Sequence, residues 1–225
     1  MYCMSFEELP LSEISSYEDT IEYLKEYCTF GDNRTYIVVL IARQKENEAI
    51  NHGQEPVFRE ILTDTDTIRR RMNRLEAIFQ HYTAEEDVPL TFRLYVTANA
   101  RDVQKSFFEF QKQLSEYNRE LMNEGGGIRD RIKRLDSQWK STLQTAGNKD
   151  SNNFVIDCDT KEESQVYELY ENLQNVTTIK DIRETPNGFH FLTDPFGFPQ
   201  YDWIANEQVN TDDLIYLYRE TQSEN

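Results

Sequence analysis

The chain has 225 residues, 38% of them hydrophobic and 12% aromatic, and a formal net charge of −17. That is enough apolar material for one large domain or two small ones, and too much for a disordered chain. The acidity argues against broad, sequence-independent adhesion to nucleic-acid phosphates. No run of about 18 apolar residues is present, so no membrane span or membrane partner is expected. The N-terminus lacks the basic-then-apolar pattern of a secretory leader. Cys3, Cys28 and Cys158 are scattered, without zinc spacing or a disulfide framework, which fits a reducing cytoplasm.

In chain order, Ser16-Tyr-Glu-Asp19 predicts a capped helix running to about Tyr27. Thr35 to Ala42 is a continuous apolar run and reads as a buried strand, and Val57 to Leu62 as a second. Ile68, Met72, Leu75 and Phe79 recur at helical spacing and put the triplet Arg69-Arg70-Arg71, with Arg74, on a helix. Thr91 to Thr97 alternates, with Phe92, Leu94 and Val96 inward and Arg93, Tyr95 and Thr97 outward, as in a half-exposed strand. Asn99 is placed to cap the helix that follows, whose stripe Val103, Phe107, Phe110, Leu114, Tyr117 and Leu121 reads as core. Glu124-Gly-Gly-Gly127 lacks the ending of a phosphate-binding P-loop and reads as a helix stop and hinge. A helix with Ile128, Ile132, Leu135, Trp139 and Leu143 on one side follows, carrying the second basic cluster, Arg129, Arg131, Lys133 and Arg134. Charge runs of this kind are ordinarily solvated faces, although both clusters could form local tracks on an acidic body.

A polar loop from Thr145 to Asn153 marks a boundary, dividing the chain into residues 1–150, an α/β half, and residues 151–225. The second part begins with Phe154-Val-Ile-Asp-Cys-Asp-Thr160, a short strand with carboxylates at alternate positions. Asp157 and Asp159 share its face with Val155, while Phe154, Ile156 and Cys158 point into a core. Adjacent carboxylates resist burial, and a divalent cation held by oxygen ligands is the usual compensation. Thr160 and Glu163 form a capping box for a helix with Val166, Leu169, Tyr170 and Leu173 inward. Thr178 to Thr185, the turn Pro186-Asn-Gly188 and Phe189 to Thr193 read as a hairpin, with a last strand at Leu214 to Tyr218. This order favours an α+β sheet of ferredoxin-like or RNA-recognition-motif-like topology, with the returning hairpin strand between the first two. If Phe189 and Phe191 face the core, His190 shares the open face with Asp157 and Asp159.

With these residues in place, the chain resembles the archaeo-eukaryotic primase superfamily, and among its members the small primase-polymerase-like proteins of phages and archaeal viruses. Phe154-Val-Ile-Asp-Cys-Asp159 resembles the family's first motif, a strand ending in Asp-x-Asp. Gly188-Phe-His190 resembles the second, Ser-x-His, with glycine for serine. The third, a single later Asp, falls on Asp212, with Asp213 and Asp202 as alternatives. The resemblance extends to Arg93-Leu-Tyr-Val-Thr-Ala-Asn-Ala-Arg101 and the helix after it.

The resemblance implies an N-terminal α/β half packed on a recognition-motif-like half. It implies primer synthesis or extension from nucleoside triphosphates on a single-stranded DNA template, with Mg²⁺ or Mn²⁺ held by Asp157, Asp159 and Asp212. His190 and Gly188 would meet the triphosphate, and a replication helicase is a possible partner. Such a protein would work in the cytoplasm, that of the host cell if viral. Asn99 and Arg101, at a strand-to-helix junction, suit further phosphate contacts, although a structural cap explains Asn99 equally well. Two other classes stay open: another metal-dependent phosphotransfer enzyme such as a nuclease, and a non-catalytic binding protein on a decayed primase fold.

Overall fold

A computed structural model describes residues 9–12, 14–51, 53–85, 90–124, 130, 132–204 and 208–221. The architecture is α+β, with two antiparallel sheets. Ser16 caps the first helix, α1 (Tyr17–Tyr27), by accepting from the Asp19 amide at 3.1 Å. Strands β1 (Arg34–Ile41) and β2 (Val57–Leu62) follow, then helix α2 (Thr65–Glu85) and strand β3 (Thr91–Thr97). A two-residue strand β4 (Arg101–Asp102) leads into helix α3 (Val103–Glu124), and helix α4 (Leu135–Leu143) closes this half. The second half contains β5 (Phe154–Cys158), helix α5 (Glu163–Val176), β6 (Ile179–Glu184), β7 (Phe189–Thr193) and β8 (Gln208–Asn210). Last comes β9 (Leu214–Thr221).

The second sheet has the order β6-β7-β5-β8. The hairpin strand β7 lies between β5 and β6, as the sequence order suggests, and pairs Asp157 with His190 across the ladder. Phe189 and Phe191 go to the core with Ile156, Cys158 and the α5 residues Val166, Leu169 and Leu173. Full burial of a phenylalanine contributes about 2–3 kcal/mol, so this pair fixes which face of β7 is inward. A one-residue slip would put His190 in the core and expose both rings.

The first sheet runs β2-β1-β3-β9, with β4 beside β1. The strand pairing here crosses the division expected at residue 150. Strand β9 leaves the second half and pairs antiparallel with β3, from Thr91↔Thr221 to Thr97↔Leu214. The edge position beside β5 falls instead to β8. The two sheets also share a core, since Val155 and Leu192 of the second pack with Val38, Leu94 and Ile215 of the first.

Strand β3 is buried along its whole length, which corrects the half-exposed reading. Helices α1 and α2 cover one face through Ile21, Leu24, Ile68, Met72 and Leu75. On the other, Tyr95 packs with Ile37, Val39 and Leu143. The opposite correction applies to α3. Its predicted core stripe is half-buried at Val103, Phe110, Leu114 and Tyr117, and Phe107 is 49% exposed. The Gly125–Gly127 break, Ile128, Arg129 and Arg131 lie outside the described residues. No helix among the described residues is long and apolar enough to cross a membrane.

Candidate functional site

A cavity of about 100 Å³ opens where the two sheets meet. The second sheet supplies Asp157, Asp159 and His190, together with Thr185 and Asn187 of the β6–β7 turn. From the first come Arg93 and Tyr95 on β3, Asp213 just before β9, and Leu214 and Tyr216 on it. Arg43 and Lys45, in the segment after β1, complete the wall. Alternation explains the convergence: with Phe189, Phe191, Ile156 and Cys158 turned to one core, Asp157 and His190 must face the first sheet.

His190 is held between the sheets. Its Nδ1 accepts the Tyr216 backbone N–H at 3.3 Å, so the remaining proton sits on Nε2. That nitrogen lies 3.4 Å from Asp157 Oδ1. The donor comes from β9, whose other side has no strand partner among the described residues and whose outward amides need acceptors.

The cavity's carboxyls are pushed in opposite directions. The hydrogen bond from His190 holds Asp157 below the ordinary carboxylate value, against the effect of burial and with help from Lys45 and Arg43. Burial raises Asp213, and the Asp157 charge adds to the rise, although Asp213 Oδ1 accepts from the Leu214 amide at 2.7 Å. Asp159, just past the end of β5, is exposed. Burial pushes the Tyr216 phenol up to about 12.

The cations differ in how far they are committed. Arg93 is buried and clamps Glu46 through two contacts of 2.6 Å. The Arg43 guanidinium lies 5.4 Å from the Tyr95 ring centroid. Neither Arg43 nor Lys45 has a side-chain ion pair among the described residues, so both remain available to an anion.

The other sequence candidates are placed elsewhere. Asp212 turns away from the cavity into a buried ion pair with Arg101 at 2.7 Å. Asn99 is fully buried, donating to Asn153 O, Thr211 O and Asp212 Oδ1 and accepting from Ser151 Oγ and the Asn153 amide. Together these side chains tie the turn before β4 to the loops before β5 and β9. Asn99 and Asp212 spend their hydrogen bonds on the fold, Arg101 keeps a buried Nε without a partner among the described residues, and the helix cap expected of Asn99 is made by Asp102, which accepts from the Lys105 amide. Asp202 is exposed in a short 3-10 turn, outside the cavity lining.

Gly188 has a packing role. A Cβ there would stand 1.8 Å from the Cys158 carbonyl oxygen. Its amide donates to Thr185 Oγ1 and its carbonyl accepts from the Thr185 amide, so the backbone has no donor left for a nucleotide.

Against protein families, curated proteins and solved structures, the chain shows no significant match.

Sequence reasoning missed Arg43, Lys45 and Arg93 and ranked Asp213 below Asp212. The alternation of β3 did place Arg93 and Tyr95 on one face, but it could not show that β9 and β5 close over them. The neighbouring carboxylates at 212 and 213 are indistinguishable until β9 is paired. Since Leu214 is the first residue of that strand and lines the cavity, the residue joined to it is carried there.

Proposed function

We propose that this chain transfers nucleotidyl groups from nucleoside triphosphates to a 3′-hydroxyl, as the primase-polymerases it resembles do. The observation that carries the reading is the cross-strand pair Asp157–His190 facing a cavity that Asp159 also lines and to which Asp213, just before β9, adds a third carboxylate. The strand order around that pair, a split β-α-β unit with the hairpin strand inserted, is compatible with the recognition-motif-like sheet of that family.

The donor set fits a hard divalent cation such as Mg²⁺ or Mn²⁺: carboxylate oxygens around one cavity, one of them desolvated. Asp157, Asp159 and Asp213 would hold it, with Asp213 in the place first given to Asp212. Among the described residues no three such side chains already converge closely enough to bind an ion, so the carboxylates would have to turn toward it. Bound there, the cations would lower the pKa of the attacking hydroxyl and stabilise the leaving pyrophosphate.

This chain's own residues do the positioning. Arg43 and Lys45 would meet the triphosphate charge from the first sheet. The Nε2–H of His190 can turn its hydrogen bond from Asp157 to a phosphate oxygen while the Tyr216 amide holds Nδ1 in place. Glycine at 188 removes the hydroxyl that the family's serine supplies, and Thr185 Oγ1, in the same turn, is already engaged with Gly188. The cavity has room for phosphates rather than a whole nucleotide, so base and sugar would lie outside it.

Incorporation of labelled nucleotides with Mg²⁺ or Mn²⁺, on single-stranded and primed templates, tests the reading. Asp157→Asn and Asp213→Asn should each lower incorporation at least a hundredfold while keeping the wild-type circular dichroism. Failure of the wild type to incorporate any nucleotide or to bind Mn²⁺ would overturn it. Cleavage of the template in place of extension would move the same carboxylates to a nuclease.

A further inference from the structure

Four large hydrophobic side chains are exposed among the described residues, and all belong to one region: Phe107, Phe108 and Met122 on α3, and Ile132 just before α4. Helix α3 lies against α4 along one side, where the Phe110 and Trp139 rings stand 5.5 Å apart and Thr142 reaches Gln113 at 3.2 Å. A turn of about 100° per residue orders the rest of its surface. Going round from the α4 side, Phe107 comes first, then Asn118, Gln111, Met122, Ser115 and Phe108. These six side chains are all exposed and none is charged, although charged residues make up 29% of the chain. An exposed face that lacks charge over about four helical turns has the composition of an interface centre.

The edge of this face has a sign. Beyond Phe108 runs a row of cations, Lys105, Lys112 and Arg119, one every second turn. Lys105 reaches Asp102 at 3.5 Å, and Lys112 and Arg119 make no ion pair among the described residues. The helix's own Glu109 and Glu116 lie past that row, on the side away from the uncharged face. In a chain with 41 acidic residues against 24 basic ones, such a row selects carboxylates along the facing edge of a partner. An antiparallel pair of α3 helices from two copies would set one row of cations against the other, which disfavours self-association. An anionic lipid surface would meet the row but also the remaining negative charge of the molecule, whereas a single helix meets the row alone.

We infer that the uncharged face of α3, edged by Lys105, Lys112 and Arg119, docks an amphipathic helix of a partner protein. That helix is apolar toward Phe107 and Phe108 and acidic along the edge that meets the cations. None of these residues lines the carboxylate cavity, so the surface stands whether or not the nucleotidyl-transfer reading does.

Fluorescence anisotropy with two labelled synthetic helical peptides of about 18 residues tests it, in about 0.15 M salt so that charges more than roughly 8 Å away are screened. Both peptides carry leucines along one face, flanked by glutamates in one and by lysines in the other. The wild type should bind the glutamate peptide roughly tenfold or more tighter than the lysine peptide. Phe108→Ser should weaken that binding roughly tenfold and, because the ring is 60% exposed, leave the melting temperature unchanged. Lys112→Glu with Arg119→Glu should reverse the preference, a gain that a misfolded protein cannot show. Equal binding of the two peptides, binding of neither, or an unreversed preference in the double variant would overturn the inference. A wild-type dimer that Phe108→Ser dissociates in sedimentation would also overturn it and assign the face to a second copy. Wild-type binding to phosphatidylserine vesicles that the same variant abolishes would overturn it in favour of lipid.

Discussion

Glycine 188 sits where the β7 strand starts against the end of β5, and the fold leaves no space for a side chain there. A methyl group would overlap the Cys158 carbonyl oxygen, and neither strand can retreat without breaking the Asp157–His190 register. Gly188→Ala should therefore destabilise the protein by about 3 kcal/mol or more, and Gly188→Ser, which restores the primase-like motif, should do no better. Thermal melts of both variants check this. Asp213 gives a prediction with a pH sign. Its folded carboxyl is raised by burial, so its contribution to stability is complete below the unfolded pKa and is lost as pH rises through the folded value. Asp213→Asn should melt higher than wild type at neutral pH, and the difference should vanish as the pH falls below the ordinary aspartate range. Asp157 is shifted the other way, so its contribution is present above the unfolded pKa and fades on acidification through the lower folded value. Asn99→Ala removes a side chain engaged at both its nitrogen and its oxygen, and should cost about 2–4 kcal/mol. The two residues the sequence read best, Asp157 and His190, lie on strands with strict alternation, where burial of one face dictates the other. Asn99, Arg101 and Asp212 stand apart from the cavity lining, and in the sequence a polar residue at a loop junction looks alike whether it binds a ligand or ties two loops together.

At the level of elements, β1, β2, β3, β5 and β7 were legible because their apolar runs are short and bounded by polar turns. The helix α5 was legible in its buried face and not in its start. Thr160 Oγ1 accepts the Glu162 amide and makes a turn of its own, so the helix begins only at Glu163. Burial of α3 was misjudged because periodicity shows that a helix has an apolar side and says nothing about how much surface comes to meet it. The partner of β9 was likewise invisible, since a strand of alternating residues fits either sheet. That pairing has a measurable result. A fragment of residues 151–225 would carry β9 without β3, and residues 1–150 would leave β3 with an open edge. We predict that neither fragment shows a cooperative melt alone, while the whole chain unfolds in one transition. Two independent transitions from separately expressed fragments would contradict it.

For the molecule as a whole, the charge of −17 is less hostile to a polyanion than its size suggests. On α2, Arg69 is held by Glu18, and Arg71 and Arg74 share the buried Glu60. That cluster stabilises the fold and offers little to a ligand, whereas Arg43 and Lys45 line the cavity without ion pairs among the described residues. On the second basic cluster Lys133 pairs with Asp130 and Arg134 is exposed, as in a solvated face, while Arg129 and Arg131 lie outside the described residues.

The β3–β9 ladder also sets an order in time. Residues 91–97 leave the ribosome long before residues 214–221, so through most of synthesis β3 waits with its hydrogen-bonding edge unfilled. Closing so long a loop is slow, because its entropy is lost before the contacts that reward it are made. The second sheet is built during that delay, and β9 then completes the first sheet and the carboxylate cavity in one step. A nascent chain that stops short of residue 214 has the other strands of the described residues and no finished cavity, so the stretch that follows residue 213 decides whether the carboxylates are brought together.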